Sequence, residues 1–216
     1  MNFSKELWAA AEPIVAAIHE HPFVVGLGDG SLPREVFLGY MEQDALYLGA
    51  YGRSMGLLAA KASRPEEVAF WAQGVHGAIL AERELHAGHV VVDDSDSKMS
   101  PTCRGYTSFV LGQAATAPYE VGASAVLPCF WIYQVVGEHL LRSAGELARH
   151  PYGDWIGMYS DEAFAQSTQQ AIAIVDRLAG EGTQALRQQM LEAFLIASRY
   201  EWMFWDAAWR RETWPV

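Results

Sequence analysis

With 216 residues the chain has room for one domain with a large core, and residues 1–216 are read as a single domain. Apolar residues make up 51% and charged residues only 19%, below the usual ~25%, so much of the surface should be buried or shared between subunits. The net charge of −11, with no Lys/Arg run or basic amphipathic face, argues against nucleic acid and anionic membranes as partners. Two cysteines cannot staple a domain of this size and point to a reducing compartment, with one disulfide left open. Met1 to Trp8 lack a basic stretch leading into an apolar one, and no uninterrupted apolar run is of membrane length; the expected location is the cytoplasm.

Ser4 to His19 forms an amphipathic pattern, with Leu7, Ile14 and Ile18 on one side, Ser4 as the candidate N-cap and Pro13 as a bend. His21-Pro22 ends it, and Phe23 to Gly30 reads as a glycine-rich connector closing on Gly28-Asp29-Gly30. Ser31 and Pro33 open a helix over about Arg34 to Ala62. Asp44, Tyr47 and Tyr51 share one of its faces, amid Phe37, Met41, Leu48 and Met55. Such a stripe is commonly a core seam. A carboxylate within it nevertheless requires a partner, because burying an unpaired charge is costly, and Asp44 is therefore a candidate site residue.

Ser63 and Pro65 begin a helix through about Val92, with Glu66 and Glu67 in its first turn and Glu82, His86 and His89 near one face. Asp93 to Ser97 is a polar loop. Ser100-Pro101 caps a helix that carries Cys103, Tyr106 and Phe109 and ends near Pro118. From Tyr119 to about Ser143 runs the most apolar segment, holding Pro128, Cys129 and Tyr133. Pro128 removes an amide donor and presses on the Ser124 carbonyl, which predicts a kink. Cys129 and Tyr133, one helical turn apart, place a thiol and a phenol on the same face; by itself this is a core segment with an inert thiol. Tyr152 to Tyr159 reads as a brief helical turn. Asp161 to Ala179 and Thr183 to Trp209 complete the set, the last helix carrying Tyr200, Glu201, Phe204 and Trp205. No window alternates as a half-buried strand does, so the fold class is all-α: a helical bundle whose ligand sites form between facing helices.

Phosphate-binding loops, nucleophile elbows and Cys-x-x-Cys are absent. None of the seven histidines follows a glutamate by three residues, so a di-iron centre is weakly supported and no metal is expected. A haem bundle would need one axial histidine, His19 or His21, with nothing else in its favour. His139 lies about 15 Å along the helix from Cys129, so any group activating the thiol must come from another helix. What is left is the Cys129 thiol, carboxylates at Asp44 and Glu201 on separate helices, and many aromatic rings. That set suits a flat heteroaromatic ligand, with rings to sandwich it, acids to hold its nitrogens and a thiolate to add to an electron-poor carbon. If buried, Glu201 has the raised pKa of a general acid; if it lies on the surface of the last helix it has no such role, and the residues alone leave both open.

The ordered motifs Gln43-Asp44-x-x-Tyr47-Leu48, Glu82-x-x-x-His86 and Leu127-Pro128-Cys129-x-Trp131-x-Tyr133 resemble those of the TenA/thiaminase II family. Tyr152-x-x-Trp155-Ile156-x-x-Tyr159 and Glu201-x-x-Phe204-Trp205-Asp206 extend the resemblance over most of the chain. The resemblance implies a haem-oxygenase-like bundle without haem or other cofactor, assembled as a homotetramer. It implies hydrolysis at the carbon attached to position 5 of a 4-amino-2-methylpyrimidine, releasing ammonia or the thiazolium of thiamine for thiamine salvage. It makes Cys129 the nucleophile, in a setting that favours thiolate, and Glu201 the acid/base. Asp44 anchors the 4-amino edge, Tyr133 and Tyr159 position ring and thiol, and Tyr47 and Tyr106 complete the pocket. Ala45 stands where many members carry an aromatic, which predicts a more open wall. Two rival readings are an oxidase of the same bundle architecture and a non-enzymatic regulatory or interaction protein.

Overall fold

The computed structural model describes residues 2–88 and 99–216, the side chains of residues 81–88 excepted. The described chain forms α1 (Phe3–His19), α2 (Pro22–Asp29), α3 (Arg34–Lys61), α4 (Pro65–Gly88), α5 (Pro101–Thr116), α6 (Tyr119–Leu141), α7 (Gly153–Tyr159), α8 (Glu162–Glu181) and α9 (Gln184–Trp209). A single 3-10 turn at Leu147–Arg149 precedes α7, and no strand occurs among the described residues. The polar loop expected at Asp93 to Ser97, together with His89, lies outside the described residues.

α6 is the centre of the bundle, packed against α3, α5, α7, α8 and α9. By length and composition alone it is apolar enough to cross a membrane, although polar residues such as Ser124, Gln134 and Glu138 interrupt it. However, 78% of its most apolar window is buried by the surrounding helices, and a helix enclosed on every side is apolar on every side. Both α1 and α6 continue through their internal prolines, Pro13 and Pro128.

Helix ends follow the cap residues. The side chains of Ser100, Asp161 and Thr183 accept hydrogen bonds from Cys103 N at 3.1 Å, Ala163 N at 2.8 Å and Leu186 N at 3.2 Å. Ser4 does not cap α1: it lies inside the first turn and donates through N and Oγ to Asp176 at 2.6 and 2.8 Å, tying α1 to α8. The glycine-rich connector expected at Phe23 to Gly30 is instead the helix α2. Its N-cap is His21, whose Nδ1 accepts from Phe23 N at 3.2 Å, with Pro22 next in the favoured first position. Gly30 ends it at a φ of 77°. Gly28 is there for packing, since a Cβ would sit 2.7 Å from Leu140 Cδ2.

Another close approach positions a candidate site residue. Gly137 on α6 lets α7 come so near that a Cβ would lie 2.6 Å from the backbone carbon of Tyr159. Gly137→Ala therefore pushes α7 outward, and we expect it to lower stability by about 2 kcal/mol in urea unfolding despite alanine's better helix propensity. A neutral or stabilising result would show that α7 yields without strain. At the far end of α6, Trp71 donates to the Tyr119 hydroxyl at 2.7 Å, and that hydroxyl donates to the buried Glu67 at 2.9 Å. Arg177 closes the network with an ion pair to Glu67 at 2.5 Å, joining α4, α6 and α8.

Candidate active site

The inward face of α3 carries Tyr40, Asp44, Tyr47 and Tyr51, all buried. Their spacing of three or four residues places them in one row. Opposite the row stand Tyr106 of α5, Cys129 and Tyr133 of α6, Trp155 and Tyr159 of α7, and Glu201, Phe204 and Trp205 of α9. Ring contacts connect the helices: Tyr47 lies 4.7 Å from Tyr106 and 5.7 Å from Phe204, and Tyr133 lies 4.8 Å from Tyr159 and 5.1 Å from Trp205 between centroids. The Tyr106 hydroxyl donates to Glu201 Oε1 at 2.5 Å. The Cys129 thiol is in electrostatic reach of both Glu201 and Asp44 and lies beside the hydroxyls of Tyr47 and Tyr51. All seven candidate residues thus meet in one buried cluster. Cys129 keeps some accessible surface between the buried Pro128 and Phe130, as do Trp131 on the same helix and Tyr159 in the cluster.

The electrostatics separate what burial does from what neighbours do. Glu201 is 1% exposed, which removes the surface alternative. Burial pushes its carboxyl from the ordinary 4.5 up to about 8, with the Asp44 charge adding to the rise and the Tyr106 hydrogen bond opposing it. Asp44 is 4% exposed and, contrary to expectation, has no hydrogen-bond partner among the described residues. Burial alone raises it to about 7, so it lowers its desolvation cost by holding a proton. The setting expected to favour thiolate is also corrected. Burial first, and the Glu201 charge second, push the Cys129 thiol well above its usual range; the adjacent Tyr47 and Tyr51 hydroxyls pull the other way without winning.

Two polar atoms in this region are buried without partners, the Tyr47 hydroxyl and Trp205 Nε1. An orphaned group costs about 1–3 kcal/mol, and its persistence is accounted for where a polar ligand completes the set. Other chemically able groups are engaged elsewhere. His21 Nδ1 accepts from Phe23 N and its Nε2 is 3.5 Å from Asp206, while the His19 and His139 rings are 4.2 Å apart. Glu138 accepts from Gln134 at 2.8 Å. Both cysteines are free thiols; Cys103 donates to the Gln43 carbonyl at 3.5 Å and is pushed up to about 12, chiefly by burial.

Within the motifs, Gln43 serves packing, its Oε1 accepting from Ser100 N at 2.8 Å and linking α3 to α5. Ala45 is 3% exposed. The side chains of Glu82 and His86 lie outside the described residues. Tyr40 and Tyr51 belong to the cluster although the sequence reading assigns them no role. The signal was present, since both continue the row through Asp44 and Tyr47 by one helical turn at either end.

Helices closed around a buried thiol, two protonatable carboxyls and a ring of phenols define a haem-oxygenase-like bundle with an enclosed candidate site. A domain of unknown function with a heme oxygenase-like fold from Shewanella denitrificans OS217 superposes with a TM-score of 0.75 at 14% identity, over 98% of this chain and 93% of that one. That is a likeness of fold alone. The TenA homologue of P. horikoshii OT3 reaches 0.85 at 26% identity, over 97% of this chain and 99% of that one. Residues 8–211 match the TENA/THI-4/PQQC family, and the chain belongs to it. Among its relatives, the aminopyrimidine aminohydrolase of Bacillus subtilis is 35% identical, over 99% of this chain and 92% of that protein. The thiamine biosynthesis multifunctional protein ThiED of Corynebacterium efficiens is 36% identical over 97% of this chain, which spans only 28% of that protein's length.

Proposed function

We propose that the protein is an aminopyrimidine aminohydrolase of thiamine salvage, hydrolysing 4-amino-5-aminomethyl-2-methylpyrimidine, thiamine, or both. The observation that carries the reading is the convergence of Cys129, Glu201 and Asp44, from three helices, on one aromatic-lined cluster. The relatives' names support the substrate class. Asp44 holds the 4-amino edge, Tyr133 and Tyr159 place ring and thiol, and Tyr47 and Tyr106 close the pocket.

The raised pKa values suggest how the reaction avoids building charge in a dry site. The ionised fraction of Glu201 takes the thiol proton as sulfur bonds to an electron-poor ring carbon, and then passes it to the ring nitrogen that receives the electron pair. With aromaticity broken, the leaving amine or thiazole departs from the exocyclic methylene. Water adds there, sulfur leaves with the electron pair of its bond to the ring, and the hydroxymethylpyrimidine is aromatic again. As the group leaves, an ammonium as ammonia or the thiazolium as thiazole, the ring nitrogen gives its proton back to Glu201; Glu201 returns it when water adds and takes the proton that water loses, and the ring nitrogen's proton goes to the departing sulfur.

The chain acts as a single domain over residues 1–216, as a homotetramer and in the cytoplasm. Purified protein is given the aminomethylpyrimidine and thiamine separately, and ammonia and thiazole are measured. Release of either at a rate proportional to enzyme supports the reading; release of neither rejects it. Light scattering of the same sample tests the tetramer, which a monomeric mass would exclude.

A further inference from the structure

A short hydrogen-bond chain behind the site has a direction fixed by its first member. Trp155 Nε1 lies 3.3 Å from the Tyr40 hydroxyl, and that hydroxyl lies 3.2 Å from the Tyr133 hydroxyl. All three side chains are buried, Tyr40 completely, and rings of Tyr40 and Trp155 meet edge to face at 6.5 Å. An indole nitrogen can only donate, whereas a phenol donates once and accepts. Tyr40 oxygen therefore accepts from Trp155, and its own proton goes to Tyr133, its other hydrogen-bond partner among the described residues. Tyr133 oxygen is thereby an acceptor toward Tyr40, and its proton is left to point elsewhere. No acceptor for that proton is found among the described residues, and Tyr133 stands one helical turn from Cys129 on the same side of α6.

We propose that Trp155 and Tyr40 are positioning residues that turn the Tyr133 proton toward the bound ring, where it is donated to an unprotonated ring nitrogen. The proposal rests on the aminopyrimidine reading of the site and refines its specificity. In that reading Asp44 faces the 4-amino group and Glu201 one ring nitrogen, and the oriented phenol supplies the donor that the other ring nitrogen, also an acceptor, requires. A ring lacking an acceptor at that place leaves the Tyr133 proton buried and unpaired, and is discriminated against on that account.

The test is a double-mutant cycle on the full chain with Tyr40→Phe and Tyr133→Phe, each of which removes one oxygen and keeps the ring. Each single variant should lower kcat/KM for the aminomethylpyrimidine about tenfold, and the double variant no further than Tyr133→Phe alone. Independent losses that multiply to about a hundredfold would show that Tyr40 acts through packing and would overturn the relay. Trp155→Phe, which frees Tyr40 to accept from Tyr133, should reproduce the Tyr40→Phe loss; unchanged kcat/KM counts against the relay. The same cycle is run without ligand on urea-unfolding midpoints, where the shift in the double variant should be smaller than the sum of the singles. If the wild type proves inert toward the pyrimidine, the functional reading falls and this unfolding cycle alone decides the relay, additive shifts overturning it.

Discussion

Cys129→Ser lowers release of ammonia from the aminomethylpyrimidine, and of thiazole from thiamine, by about a thousandfold or more while the protein stays folded. The reason is chemical rather than structural. A serine hydroxyl is a far weaker nucleophile than a thiol once both are held protonated by burial, and the burial that raises Cys129 raises a hydroxyl at least as strongly. The structural effect is small, because Tyr47 and Tyr51 already place hydroxyls beside the sulfur and can satisfy the new one; a loss of no more than about 1 kcal/mol is expected in urea unfolding. Steady-state product release and an unfolding curve on the same preparation separate the two effects. Wild-type turnover by the serine variant would remove covalent catalysis from the account, and a variant that does not fold would mean that the thiol is a packing residue.

Glu201→Gln and Asp44→Asn should each lower kcat by about a hundredfold or more and at the same time make the ligand-free protein more stable at alkaline pH. Burial lifts Glu201 from 4.5 to about 8 and Asp44 from 3.8 to about 7. Between about pH 4 and pH 8 the folded chain thus keeps protons that the unfolded chain has released. Stability contributed by the protonated carboxyls is fully present below the unfolded values and is lost as pH rises through the folded ones. An amide cannot ionise and escapes that loss. Each variant should therefore exceed the wild type by on the order of 3 kcal/mol at pH 9 and differ little from it at pH 4. Urea unfolding at the two pH values checks this. Variants less stable than the wild type at pH 9 would mean that the carboxylates have partners that offset their burial.

Much of the fold could be read from the chain because its signals are local. Ser100-Pro101, Asp161 and Thr183 mark helix starts by the capping bonds they make, and these starts lie within a residue or two of expectation. Phe23 to Gly30 misled because glycine marks both turns and close packing. Gly28 is required by Leu140, more than a hundred residues away, which no local window contains. Ser4 misled for a similar reason: its hydroxyl has a partner in Asp176 on another helix that outcompetes the helix end. At the site, the row through Asp44 and Tyr47 was legible as a face of one helix. Whether Glu201 was inside or outside was not, since that depends on which helices surround α9. The sign of the thiol's shift was also hidden, because it follows first from how completely the surrounding helices bury Cys129 and then from the approach of Glu201.

The central claim is that one sulfur and two carboxyls act on one ring, and a crystal structure with the product 4-amino-5-hydroxymethyl-2-methylpyrimidine tests it most directly. The account predicts a single ring within contact distance of Cys129 Sγ and hydrogen-bonded to both Glu201 and Asp44, stacked among the tyrosines. A pyrimidine bound elsewhere, or one that touches the acids while the sulfur faces away behind packed side chains, would contradict it.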